Sequence, residues 1–157
     1  MSLGTLIERS ITSTSADATR ELAARLAAAA QPGDLICLVG ELGAGKTQFA
    51  KGFARGLGFS GTVTSPSFIL MAEYDARLPL FHLDLYRLAD ASDAVAGGLL
   101  DERQGAGVTL IEWAERLGAV LPASRLEVVI DGSGDEPRVI HLRTTDARYR
   151  RYLELVP

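Results

Sequence analysis

Apolar residues recur along this chain with a period near 3.6 in some segments and near 2 in others, which separates helices from strands. The stretch TSTSADATRELAARLAAAAQPG opens with the capping pattern Thr14-x-x-Asp17, sets Leu22 and Leu26 four apart and closes with Pro32-Gly33, predicting a first helix. LICLVG, from Leu35, is a continuous apolar run and predicts a short strand of the buried type. Residues 46–57 return to helical spacing, with Phe49, Phe53 and Leu57 on one face and Gly58 as the stop. SFILMAEY and LPLFHLDLYRL then predict two strands across a turn at Asp75-Ala76-Arg77, too short for anything but an antiparallel pair. DASDAVAGGLL suggests a short helix, VTLIEW a second buried strand ending in an acid, and LEVVID and RVIHLR a hairpin closed by DGSGDEP. The tail DARYRRYLELVP predicts another short helix. The sheet is therefore expected to be mixed, with at least one parallel crossover, inside a single domain spanning residues 1–157.

Between the first strand and the helix that follows it lies Gly40-Glu41-Leu42-Gly43-Ala44-Gly45-Lys46-Thr47, a fit to G-x4-G-K-[ST]. Glycines let backbone N–H groups turn inward without side-chain clash, and a helix N-terminus adds its own donors for phosphate oxygens. Lys46 supplies a mobile charge for the β- and γ-phosphates, and Thr47 a hydroxyl for Mg²⁺. This places the chain in the α/β class, with the three-layer P-loop NTPase fold and a mixed parallel/antiparallel sheet. Candidate contacts to nucleotide are Glu41, Leu42, Gly43, Ala44, Gly45, Lys46, Thr47 and Gln48.

A phosphate loop needs a carboxylate near its metal, and two strands end in one: Asp84, which shares a face with Leu80 and His82, and Glu112, which follows a mostly apolar run. A carboxylate on a buried strand is costly unless it meets a metal or hydrogen bonds, although a strand-end acid in solvent or in an ion pair is the competing reading. Lys46, Asp84 and Glu112 are the candidate catalytic residues; Thr47, Glu112 and Asp84 are the candidate metal residues. Thr64, in the hydroxyl-rich run Thr64-Ser65-Pro66-Ser67, sits where nucleotide-sensing segments of P-loop proteins lie. Trp113 adjoins Glu112 and is read either as core or as a site contact. His82 is read as a packed or hydrogen-bonded histidine. Arg87 is open between a phosphate contact and an ion pair, and Arg148, Arg150 and Arg151 are read as a solvated helix face or a docking patch.

Composition narrows the partners. Net charge is −4 and the pI about 5.2, which argues against this chain gripping nucleic acid by itself. Arg outnumbers Lys 14 to 2, yet one of the two lysines stands in the phosphate loop. Cys37 lies in an apolar run and reads as an inert buried thiol. No apolar run is long enough to span a membrane and no signal peptide is read, which favours the cytoplasm. The chain contains no Asn and neither lysine has the required neighbours, so the guanine-reading motif [NT]-K-x-D is not met, and ATP is the default nucleotide.

GELGAGKTQFAKGFARGLG, VTSPSFIL, FHLDLYRL and LIEWAERL, in that order and after TSTSADATRELAARLA and PGD, resemble the TsaE (YjeE) family over roughly residues 11–117. The resemblance implies a small ATPase, using ATP and Mg²⁺, required for forming threonylcarbamoyladenosine in tRNA next to the anticodon. It implies TsaD and TsaB, the transferase pair, as protein partners, with tRNA met only through that complex. Carried onto this chain, Lys46 and Thr47 would hold phosphate and Mg²⁺, Thr64 would belong to a switch-like loop, Glu112 would serve the metal, Asp84 would order water or the metal's outer shell, and Trp113 would complete that corner. Ser67 departs from an expected Thr, and Ala114 from a frequent Pro. A small-molecule kinase and a non-catalytic nucleotide switch are the alternatives to the ATPase.

Overall fold

The computed structural model describes residues 4–41, 43–64, 71–88 and 102–157. The expected helix over DASDAVAGGLL, the first half of the SFILMAEY strand, Leu42 and Ser65–Ser67 lie outside them.

Seven strands form one sheet: β1 (Ile7–Ser13), β2 (Leu35–Val39), β3 (Met71–Tyr74), β4 (Leu80–Asp84), β5 (Val108–Glu112), β6 (Leu126–Asp131) and β7 (Arg138–Thr144). Their spatial order is β1-β7-β6-β2-β5-β4-β3. The middle of the sheet is parallel (β6–β2, β2–β5 and β5–β4), and the flanks are antiparallel (β1–β7, β7–β6 and β4–β3). The α/β class and mixed sheet are thus as the pattern predicts, and so are the β3–β4 and β6–β7 antiparallel pairs.

Period-2 alternation in the central strands sorts their side chains into two cores. Ile36, Leu38, Leu80, Val108 and Leu110 face one side, where helices α1 (Ala16–Leu26) and α2 (Lys46–Gly56) cover them with Leu22, Leu26, Phe49 and Phe53. Cys37, Phe81, Leu83 and Ile111 face the other side and pack with Leu85, Ala114 and Leu117. Helices α1 and α2 approach so closely that a Cβ on Gly52 would stand 2.1 Å from the Arg20 carbonyl oxygen, and one on Gly56 2.4 Å from that of Ala24. Only glycine at both positions allows this contact, which clamps α2, and with it the phosphate loop, against the rest of the domain.

Three expectations are corrected. The first helix begins at Ala16, and its N-cap is Ser15, whose Oγ accepts from Ala18 N at 3.0 Å, rather than Thr14. The reason is β1, which the pattern did not reveal: only Ile7 and Ile11 in it are apolar, and the chain stays extended through Ser13 because that residue still pairs with Arg138 of β7. The LPLFHLDLYRL strand stops at Asp84, where Asp84 Oδ1 accepts from Tyr86 N at 3.0 Å and the backbone turns through Leu85–Leu88.

The third correction concerns the tail. Arg150 is exposed, but Arg148 and Arg151 are not a solvated face. They close on Asp34, whose side chain is fully buried just before β2. Asp34 Oδ1 accepts from Arg148 Nη2 at 2.9 Å and Nε at 3.1 Å; Oδ2 accepts from Arg151, from Gln31 N at 3.0 Å and from the Tyr152 hydroxyl at 2.5 Å. A buried carboxylate demands such a set of donors. It fastens the short terminal helix α3 (Arg150–Leu153) to the start of the central strand β2, at the end opposite the phosphate loop.

Candidate functional site

The loop after β2 turns on two glycines in the left-handed region, Gly43 (φ 81°) and Gly45 (φ 113°), a conformation that a side chain would strain. Ala44 N donates to Glu41 O at 3.0 Å and tightens the turn. Gly45 is the N-cap of α2, and among the described residues no side chain caps that helix, so its first-turn N–H groups carry no capping partner.

Lys46 is buried at the start of α2. Its Nζ donates to Gly40 O at 2.6 Å and lies 3.8 Å from the centroid of the Trp113 ring. Burial lowers its pKa from the ordinary lysine value, and the nearby charges of Glu112, Glu115 and Asp84 act in the opposite direction. The two strand-end acids are brought level by the sheet: Asp84 pairs with Glu112 across β4–β5, and Glu112 with Leu38 across β5–β2. Partners in adjacent parallel strands point to the same face, so both carboxylates stand at the strand ends beside the loop. Both are buried.

His82, two residues before Asp84, places Nε2 2.7 Å from Glu112 Oε2 and is itself fully buried. The reading of His82 as a hydrogen-bonded histidine therefore holds, and its partner is the candidate metal acid. Its Nδ1 has no hydrogen-bond partner among the described residues. Trp113 is the one non-glycine residue among those described with a left-handed backbone (φ 61°). A turn of this kind costs about 1–3 kcal/mol, and here the Tyr86 ring, 5.0 Å away, and Lys46 hold it.

The other expected residues are placed as follows. Thr47 and Gln48 follow Lys46 in the first turn of α2, both half-buried, and Gln48 accepts from Arg20 of α1. Glu41 and Gly43 are exposed on the loop; Ala44 is buried. Thr64 is exposed at the end of a described stretch, and its side chain makes no hydrogen bond to another described residue. Arg87 is exposed.

Two features were not read from the sequence. A cavity of about 400 Å³ adjoins the loop, lined by Ser13, Thr14 and Ser15 at the β1–α1 junction, by Gly45 and Gln48, and by Gly134 and Glu136 of the β6–β7 hairpin. Arg138, at the start of β7, reaches the loop itself: Nε donates to Ala44 O at 3.0 Å and Nη2 to Gly43 O at 3.3 Å. No local signal marks either, because the contact joins positions 94 residues apart through the sheet.

A glycine loop running from a central parallel strand into an uncapped helix, with two acids level at the neighbouring strand ends, defines the chain as a P-loop protein. The family model described as "Threonylcarbamoyl adenosine biosynthesis protein TsaE" matches residues 13–140. The tRNA threonylcarbamoyladenosine biosynthesis protein TsaE of Bacillus subtilis strain 168 is 45% identical over 137 residues, which cover 87% of this chain and 85% of that one. Its counterpart from Treponema pallidum strain Nichols is 44% identical over 107 residues, covering 66% and 79%. A crystal structure of Bacillus subtilis YdiB matches with a TM-score of 0.80 and 37% identity, over 96% of this chain and 94% of that one. The chain belongs to the TsaE family of tRNA threonylcarbamoyladenosine biosynthesis proteins. Among the described residues, no helix is long and apolar enough to cross a membrane.

Proposed function

We propose that this protein binds ATP with Mg²⁺ at the Gly40–Thr47 loop and hydrolyses it slowly in support of threonylcarbamoyladenosine formation, working with a TsaD–TsaB-like transferase pair in the cytoplasm. The observation that carries the reading is the level pair Asp84 and Glu112 beside a loop whose lysine is parked on a backbone carbonyl and an indole ring. Among the described residues that lysine's hydrogen bond goes to a neutral backbone carbonyl, so a triphosphate offers it a stronger partner than it now has.

The residues fit both the nucleotide and the metal. Uncapped N–H groups of α2 and the loop suit phosphate oxygens, and the adjoining cavity has room for the nucleoside end. The Thr47 hydroxyl, Glu112 and Asp84 are the groups to hold Mg²⁺ or its water shell, and Glu112 is kept in one orientation by His82. Mg²⁺, when bound, neutralises charge that develops on the phosphates. Lys46 swings from Gly40 O to the β- and γ-phosphates, Asp84 orders water near the γ-phosphate, and water is the acceptor. The net charge of −4 supports a division of labour in which a partner grips the tRNA.

The deciding experiment measures phosphate release from ATP by the chain alone and with the transferase pair. Stimulation by the pair, lost in Lys46→Ala, is the expected result. Calorimetry with Mg²⁺–ATP that registers no binding would remove the proposal, and phosphate transfer to a metabolite rather than water would replace it with a kinase.

A further inference from the structure

We infer that Arg138 is a positioning residue for the phosphate loop: its guanidinium holds the Gly43 and Ala44 carbonyls outward so that the Gly45 amide faces the ligand. The inference rests on the proposed nucleotide site and assigns a role there to a residue from the far flank of the sheet.

The geometry is that of a fork across two segments. Nε donates to Ala44 O at 3.0 Å and Nη2 to Gly43 O at 3.3 Å, while Nη2 also reaches Gly134 O at 3.1 Å and Nη1 reaches Glu136 O. Among the described residues Arg138 forms no ion pair, although Asp135 and Glu136 stand beside it in the chain; its charge is met by four backbone carbonyls instead.

Peptide geometry turns that contact into a constraint on the site. In a trans peptide the N–H points opposite to its C=O. With Ala44 O drawn out toward Arg138, the N–H of Gly45 in the same peptide points to the inner side of the loop. Within the loop the Ala44 N–Glu41 O bond tightens the turn, but Gly43 and Gly45 on either side of Ala44 have little intrinsic backbone preference and leave the Ala44–Gly45 peptide weakly fixed. Nor is Arg138 a loose surface arm. It opens β7, pairs with Ser13 of β1, and is thereby fixed to three antiparallel strands. Its planar fork reaches two successive carbonyls at once, which a lysine ammonium on a flexible stem does not reproduce. The result is a loop organised before the ligand arrives.

The test compares wild type, Arg138→Ala and Arg138→Lys by calorimetry with Mg²⁺–ATP and with inorganic tripolyphosphate, which carries the phosphates without a nucleoside. Amide hydrogen exchange of the ligand-free proteins is followed in parallel. Arg138→Ala is expected to weaken both ligands by about tenfold or more and to speed exchange at residues 43–46, with the global unfolding midpoint near that of wild type. Arg138→Lys is expected to fall between. Binding of both ligands within about twofold of wild type overturns the inference. Weakened ATP with unchanged tripolyphosphate also overturns it, because Arg138 would then be a wall of the nucleoside cavity only. If Arg138→Ala does not fold, Arg138→Lys decides by the same criteria. A wild-type chain that binds neither ligand defeats the nucleotide reading instead, and exchange at residues 43–46 still decides whether Arg138 orders the loop.

Discussion

Replacing Asp34 with alanine tests whether the tail is held by the buried carboxylate or merely rests on it. The side chain of Asp34 is 0% exposed and accepts from Arg148, Arg151, Tyr152 and Gln31 N. Removing one partner of a buried ion pair costs about 3–5 kcal/mol. Two features bear on the figure here. Arg148 and Arg151 keep 32% and 21% of their side chains exposed, so both guanidinium groups recover water once the acid is gone. The Tyr152 hydroxyl belongs to a residue with no exposure and is left without an acceptor, worth about 1–3 kcal/mol by itself. The net expectation is about 3 kcal/mol, and for a chain of this size the unfolding midpoint should fall by about 6–12 °C. Circular dichroism during heating and urea titration read the two quantities independently. Since Asp34 precedes β2 and the phosphate loop follows its opposite end, the folded variant should bind Mg²⁺–ATP with unchanged affinity well below its midpoint. A loss under about 1 kcal/mol would refute the reasoning, because the Arg–Asp contacts would then behave as exposed pairs do.

Trp113 is the only tryptophan and carries the Lys46 ammonium 3.8 Å from its ring, so Mg²⁺–ATP should change its emission saturably, and Lys46→Ala should abolish the change. An identical spectrum with and without saturating nucleotide would mean that Lys46 stays where it is. Burial pushes the Cys37 thiol up to about 12, so a maleimide at neutral pH should leave the native protein unlabelled and modify it only after denaturation. For Glu127, burial pushes the carboxyl pKa up, but hydrogen bonds from Arg143 and Arg125, with their charges, outweigh it and hold the group below its ordinary range. Its folded pKa therefore lies below its unfolded one, so its contribution is complete above the ordinary carboxylate pKa and disappears as pH falls through the folded value. The stability gap between wild type and Glu127→Gln in urea should narrow from neutral to strongly acidic pH; a gap constant with pH would contradict the assignment.

What the sequence determined by itself is whatever depends on neighbours a few residues away. LICLV must bury both faces, the glycines of the loop must turn tightly, and Phe49, Phe53 and Leu57 must line one side of a helix, because side-chain period and backbone stereochemistry are local. The types of Lys46, Thr47, Asp84 and Glu112 likewise state what chemistry each can offer. The order β6-β2-β5-β4 decided that the two acids stand level, and no local pattern encodes which strand becomes whose neighbour. β1 escaped notice because an edge strand with two apolar residues is stabilised by pairing with β7 more than by its own pattern. The same physics explains Asp34 with the tail arginines and Arg138 with the loop. A polar group leaves water only when the fold supplies a partner, and in these cases the partner lies about a hundred residues away along the chain, beside it only after the sheet has assembled.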